Sequence, residues 1–289
     1  VFCNCSSLAS IGDVSSWDVS SVENLAVTFR NCAVLDGIGS LESWDTSSAT
    51  RTDGLFSGCQ TITSLDLSKW DVSHVTTMES MFFNCSAITS FGDLSGWDTS
   101  SCANMAGLFD ACTSLPSVDV SGFDTANVTE ANRMFRSCYV LGKIEGLDKL
   151  DLSHVSDYTM MFANDYALKD LSGIASWDTS SATCMNEMFY DCRSLASLDL
   201  SGWDNSNATD MSDAFSKCVV LDTVTIGENF KWVGADGYLP TPSSTYIAGA
   251  DGNWYAKSDG SAHAPADIPS NKVDTYYAVP PVKTDFAVY

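Results

Sequence analysis

One pattern recurs along three quarters of this 289-residue chain and limits what it can fold into. An aromatic or apolar residue followed by Asp stands at Trp17, Trp44, Trp70, Trp97, Phe123, Leu150, Trp177 and Trp203, in steps of 27, 26, 27, 26, 27, 27 and 26 residues. A fixed period in this range is the signature of stacked repeats, in which each unit buries its apolar face only against its neighbours. Eighteen residues after each anchor comes Leu35, Ile62, Ile88, Leu115, Leu141, Leu168, Leu195 or Leu221. Three further on comes Ile38, Leu65, Phe91, Val118, Ile144, Leu171, Leu198 or Val224. Sixteen apolar residues at matched sites point inward in every coil. A third column, Phe29, Phe56, Phe82, Phe109, Phe135, Phe162, Phe189 and Phe215, completes the expected core with the anchors.

Two periodicities share each unit. Leu65-Asp66-Leu67 alternates as a short, half-buried strand does. Val75, Met78, Met81, Phe82 and Cys85 follow the spacing of one helix face, and Ser73 stands where an N-cap belongs. Equivalent serines are Ser20, Ser47, Ser100, Ser153, Ser180 and Ser206, with Ala126 the exception. Units of 27 carry an extra residue and a Gly, as in Phe91-Gly92-Asp93-Leu94, which reads as a bulge. Strands ~4.8 Å apart on one face and helices ~8–10 Å apart on the other predict an α/β repeat. It is a right-handed arc with a concave parallel sheet, short convex helices and a small β cap at the C-terminus.

The unit L-D-L-S-x-W-D-x-S-x-V-x-x-M-x-x-M-F-x-x-C-x-x-L resembles the 26-residue repeat of BspA-like leucine-rich-repeat bacterial surface proteins. Leu65, Leu67, Trp70, Asp71, Ser73, Val75, Met78, Met81, Phe82, Cys85 and Ile88 carry the resemblance in the clearest unit, and it covers residues 1–226. It implies a leucine-rich-repeat solenoid and an exported, wall- or lipid-anchored protein that binds host or neighbouring-cell surfaces.

Charge narrows the partners. The net charge is −23, with 30 Asp and 7 Glu. Such a surface repels phosphate backbones, which excludes nucleic acid, and disfavours anionic membranes. No apolar run is long enough to span a bilayer. Eight of the eleven cysteines, Cys5, Cys32, Cys59, Cys85, Cys112, Cys138, Cys192 and Cys218, lie three residues after the repeat Phe or its counterpart. The wide helical spacing puts neighbouring Cα atoms beyond the ~7 Å a disulfide allows, so these read as small buried apolar residues. Cys102 takes a core position, and Cys184 an outward one. The sixth unit departs most: Leu150 replaces Trp, Tyr158 replaces Met and Asp165 replaces Cys. A buried unpaired carboxylate costs several kcal/mol, so Asp165 is expected to face solvent, beside Tyr166.

Chemistry-bearing patterns are few. His74 and His154 occupy one repeat position three coils apart, too far to share a metal or form a dyad. No nucleophile elbow, phosphate loop or C-x-x-C pair occurs. The candidate binding face is the outward strand position, Asp66, Asp119 and Asp199 in plain units, with Asp13 and Asp93 nearby in bulged ones. Three readings apply to these carboxylates: a solvated acidic face, calcium bridging between coils, or paired catalytic acids. No other cofactor is expected. The Asp after each anchor reads as tying down the corner through backbone N–H groups.

From Gly227 the period stops. Asp236-Gly237, Asp251-Gly252 and Asp259-Gly260 punctuate aromatic runs, the mark of short hairpins. Residues 227–279 are expected to cap the solenoid, and 280–289 to begin a linker or a further module. The expected role is non-catalytic extracellular recognition, with a host or bacterial surface protein or glycan as partner and the chain monomeric. A structural stalk and a carbohydrate-active enzyme are the alternatives.

Overall fold

The computed structural model describes residues 1–234 and 236–281. Equivalent residues stack in columns. The eight repeat phenylalanines are each at most 1% exposed, and successive rings from Phe29 to Phe215 lie 5.5–6.1 Å apart and nearly parallel. The anchor rings form a second column, 6.0–6.4 Å apart where neighbours stack. All sixteen aliphatic or aromatic positions expected inside are buried, as is every anchor except Trp17. Trp17 is 40% exposed because its ring is covered by Trp44 on one side and only by Phe2 near the other.

The indole N–H accounts for the preference for Trp at the anchor. Trp44, Trp70, Trp97, Trp177 and Trp203 donate Nε1–H to the carbonyls of Val14, Leu41, Leu67, Leu147 and Ile174 in the preceding coil, at 2.7–3.0 Å. A buried indole N–H needs such a partner. Each following Asp closes the corner as expected. In all eight units its Oδ1 accepts the backbone N–H two residues on, at 2.9–3.1 Å, including that of Ala126.

The helices expected after these corners do not form; among the described residues the helical segments are three short 3₁₀ turns. The serines therefore cap no helix, and their N–H groups serve the Asp carboxylates instead. The reason lies in the backbone. Each coil places two residues four apart in the left-handed region, such as Val27 and Asn31, Ser80 and Asn84, or Glu187 and Asp191. A right-handed helix cannot run through such residues. Alternate N–H groups close four-residue turns, as in Thr28 N–H to Leu25 O. The others cross to the next coil, as in Leu25, Val27, Phe29 and Asn31 to the carbonyls of residues 51, 53, 55 and 57. Apolar residues thus recur every three or four positions because of stacked turns. Parallel bridges run Asn24–Arg51–Thr77–Asn104–Glu130 and Asp157–Cys184–Asp210 at the entry to this face. The coils are held at hydrogen-bonding distance on both sides, which removes the wider spacing expected to bend the array.

The strand face is less continuous than expected. Ser117–Asp119 (β1) pairs in parallel with Lys143–Glu145 (β2), and Ser197–Leu200 (β3) with Thr223–Ile226 (β4). Elsewhere single bridges Ser10–Gly37 and Ser64–Ser90 mark it. Bulge glycines interrupt the ladder: Gly39 and Gly92 have φ of 71° and 78°. A Cβ on Gly92 would also fall 2.5 Å from Asp66 Oδ1, so this position needs Gly for both conformation and space. In the Gly173 unit the extra residue is taken up by a 3₁₀ turn, Ser172–Ser176. Inward register survives throughout.

Beyond the repeats, Trp254–Ala256 (β5), Ala262–His263 (β6) and Asp274–Tyr277 (β7) extend the last sheet antiparallel, in the order β3-β4-β7-β5-β6. Trp254 and Tyr276 are fully buried, and Trp232 meets Phe215 edge-on at 6.0 Å. Residues 282–289 of the expected linker lie outside the described residues.

Candidate functional site

The five carboxylates of the expected binding face are already engaged. Asp13, Asp66, Asp93, Asp119 and Asp199 each accept the backbone N–H of a serine two residues on, at 2.8–3.1 Å. The hydroxyl and then the backbone N–H of Ser68 and Ser95 hold Asp66 and Asp93 below the usual carboxylate range, and the backbone N–H and then the hydroxyl of Ser15 do so for Asp13. They are turn-forming groups on the strand side, and the structure does not bring them into one cluster. Among the described residues, no three His, Cys, Asp or Glu side chains are arranged to hold a metal ion. His74 and His154 are exposed beside their serines.

The cysteine column is buried and free as expected, except for the exposed Cys5. Distance is not what keeps it so, since coils here are hydrogen-bonded to one another. Seven thiols, from Cys32 to Cys218, each donate Sγ–H to a phenylalanine carbonyl in the preceding coil at 3.0–3.3 Å. Burial raises the thiols of Cys32, Cys59, Cys85, Cys112, Cys138 and Cys192, that of Cys59 to about 12. Asp165, expected in solvent, is instead fully buried in this column. Its Oδ1 accepts the Cys138 N–H at 2.9 Å, while Oδ2 has no partner. Burial pushes its pKa well above the carboxylate range. The column faces inward on both sides, so the coil offers this side chain no route to water.

A concavity lies on the stacked-turn face, a cavity of about 470 Å³ crossing five coils. Its floor is Gly54, Ser80 and Gly107, one left-handed residue from each of three successive turns. Phe83 stands half-buried at mid-length, and Arg30 closes one end. Arg133 and Arg136 close the other. Arg136 Nε donates to Asp110 Oδ1 at 3.0 Å. Asp110 is only 4% exposed, and burial raises its pKa against the opposing pull of Arg136. Arg51 grips Asp53 at 2.9 and 3.0 Å on the rim. Sequence reasoning missed this site because it assigned the segment to helices, whose outward faces would have scattered these side chains. The available signal was that four of the five arginines of a strongly acidic chain occupy equivalent segments of nearby repeats.

A second strip on the same side stacks Tyr139 on Tyr166 at 4.8 Å, with Arg193 over Tyr166 at 4.4 Å and bonded to Asp191. Tyr166 is thus covered on both faces, and the sixth unit shows no free aromatic platform there.

Comparison with solved structures finds similarity to a leucine rich cell surface protein from Faecalibacterium prausnitzii A2-165, at 19% identity and a TM-score of 0.34 over 78% of this chain and 75% of that one. A leucine-rich repeat protein from Bacteroides ovatus ATCC 8483 aligns at 16% identity and a TM-score of 0.23, over 78% and 74%. No curated protein matches. The family described as "Mycoplasma protein of unknown function, DUF285" matches at residues 1–91, 55–144 and 142–233, which together take in the whole run of stacked coils. With that match and the repeat residues it shares with the BspA-like surface proteins, the chain belongs to the DUF285 family.

Proposed function

We propose that this chain is a non-catalytic recognition module of a bacterial cell-surface protein, acting outside the cell on a protein or glycan of a host or neighbouring cell. In this reading the coils wind right-handed, residues 227–279 close the stack, and the outward turn face makes the contact. One contrast carries the proposal. The inward column reads Phe29, Phe56, Phe82, Phe109, Phe135, whereas the next residue in each coil reads Arg30, Ser57, Phe83, Asp110, Arg136. Identical interiors build the scaffold, while the residues that line the concave surface change from coil to coil, as in binders mounted on rigid frames. A spacer role is the second reading, favoured by the hydrogen bonds that join coils on both sides and stiffen the stack.

The test is binding of the fluorescently labelled chain to epithelial cells, bacterial cells, matrix proteins and a glycan array. Saturable binding to at least one is expected; its absence from all would leave the spacer reading. Charge reversal of Asp66, Asp119 and Asp199 to Lys separates the faces. Binding that survives it maps to the turn side, and binding lost by the folded variant maps to the strand side.

A further inference from the structure

We infer that the stacked-turn groove binds an acidic oligosaccharide, with a terminal carboxylate held at one of its arginine-lined ends. This deepens the recognition reading above and rests on it.

Gly54 and Gly107 are not explained by conformation alone. The equivalent residues Val27, Ser80, Arg133, Met160, Glu187 and Asp213 share their positive φ, 52–57°. What distinguishes the two glycines is the missing side chain, and with Ser80 between them the depression is continuous. Four coil steps of ~4.8 Å make it about 20 Å long.

Charge is arranged along this length. Arg51 is neutralised by Asp53, and Arg136 is bonded to Asp110. Among the described residues, Arg30 and Arg133 form no ion pair, and they stand at opposite ends. Glu79 and Asp110 lie between them. That order disfavours a ligand with negative charge along its whole length and favours one with charge at a terminus. In a chain of net charge −23, this is where an anion meets arginine.

The backbone decides between sugar and peptide. The N–H groups of Gly54, Ser80 and Gly107 donate to Glu79 O, Ala106 O and Asn132 O at 2.8–2.9 Å, and their carbonyls accept Ser57, Phe83 and Asp110 N–H. No unpaired main chain remains on the floor for a peptide strand to extend. What remains is polar side chains and the face of Phe83, a surface suited to the hydroxyls and apolar face of a pyranose.

The test is calorimetric titration of the whole chain with sialyl-lacto-N-tetraose, tetragalacturonate, neutral lacto-N-tetraose and hexaglutamate. Saturable binding of sialyl-lacto-N-tetraose is expected, at least tenfold tighter than of the neutral glycan. Its single terminal carboxylate sets it apart from tetragalacturonate, which is charged on every residue and should bind more weakly. R30A or R133A, whichever removes the arginine at the carboxylate's end, should weaken binding roughly tenfold to hundredfold, as loss of a charged hydrogen bond does. G107M should block the groove at the cost of a small shift of Ser80, whose Oγ lies 3.3 Å from the new Cβ, since Met160 occupies the same backbone position; R193A should change nothing. Failure of sialyl-lacto-N-tetraose to bind, indifference to these substitutions, or preference for tetragalacturonate or hexaglutamate overturns the inference. Cell binding that persists in the R30A/R133A chain also overturns it, while leaving the wider recognition reading intact.

Discussion

Replacing Asp165 with the cysteine that its column otherwise carries should stabilise the protein, and by more as pH rises. The carboxyl is fully buried, and Oδ2 has no partner. Leaving a buried polar atom unsatisfied costs about 1–3 kcal/mol. In D165C that atom is gone. The Phe135 carbonyl gains the thiol donor its counterparts have, and the Cys138 N–H is released to bond Phe135 O, as Cys112 N–H bonds Phe109 O at 3.0 Å. Each kcal/mol shifts Tm by roughly 2–4 °C in a chain of this size class, so about 1–3 kcal/mol corresponds to a gain of roughly 2–12 °C at neutral pH. The pH dependence follows from the raised pKa of Asp165 in the folded state. The native chain holds this proton more tightly than the unfolded one does. Its contribution is fully present below the ordinary Asp range and declines as pH rises through that range toward the folded value. Thermal melts of wild type, D165C and D165N from pH 3.5 to 8 measure this. The gap between wild type and either variant should be smallest at pH 3.5 and widen upward. A gap independent of pH, or a D165C protein less stable than wild type at pH 7, would refute the account.

Other perturbations address other columns. W97F should fold, because Phe123 occupies the same position, but should lose about 0.5–1.5 kcal/mol in denaturant melts through the missing indole hydrogen bond, since Leu67 O keeps the Trp70 N–H. Mass spectrometry after alkylation at pH 8 should find Cys3, Cys5 and Cys184 modified. Cys59 and Cys102, raised by burial to about 12 and about 11, should stay unmodified until denaturant is added. Serine bonds lower Asp18, Asp45, Asp71 and Asp98. Their contribution is therefore present above the ordinary Asp pKa and lost as pH falls through the lowered values. Alanine at all four should flatten the acid limb of a Tm–pH curve.

The period of the chain determined the stacking, the inward columns and the corner role of each Asp after an anchor. These rest on side-chain burial and on hydrogen bonds between residues two apart, both written in local order. Only the tertiary structure decided what lies between the corners. Helical spacing from Val75 to Cys85 is equally the spacing of consecutive turns whose alternate N–H groups find partners one coil away, and no local signal distinguishes the two. Asp165 shows the same limit: its depth is set by the coils on either side, which override the cost of its own burial. The groove likewise exists only in the stack, where Gly54, Ser80 and Gly107, separated by more than twenty residues each, become neighbours across hydrogen bonds that the linear order does not display.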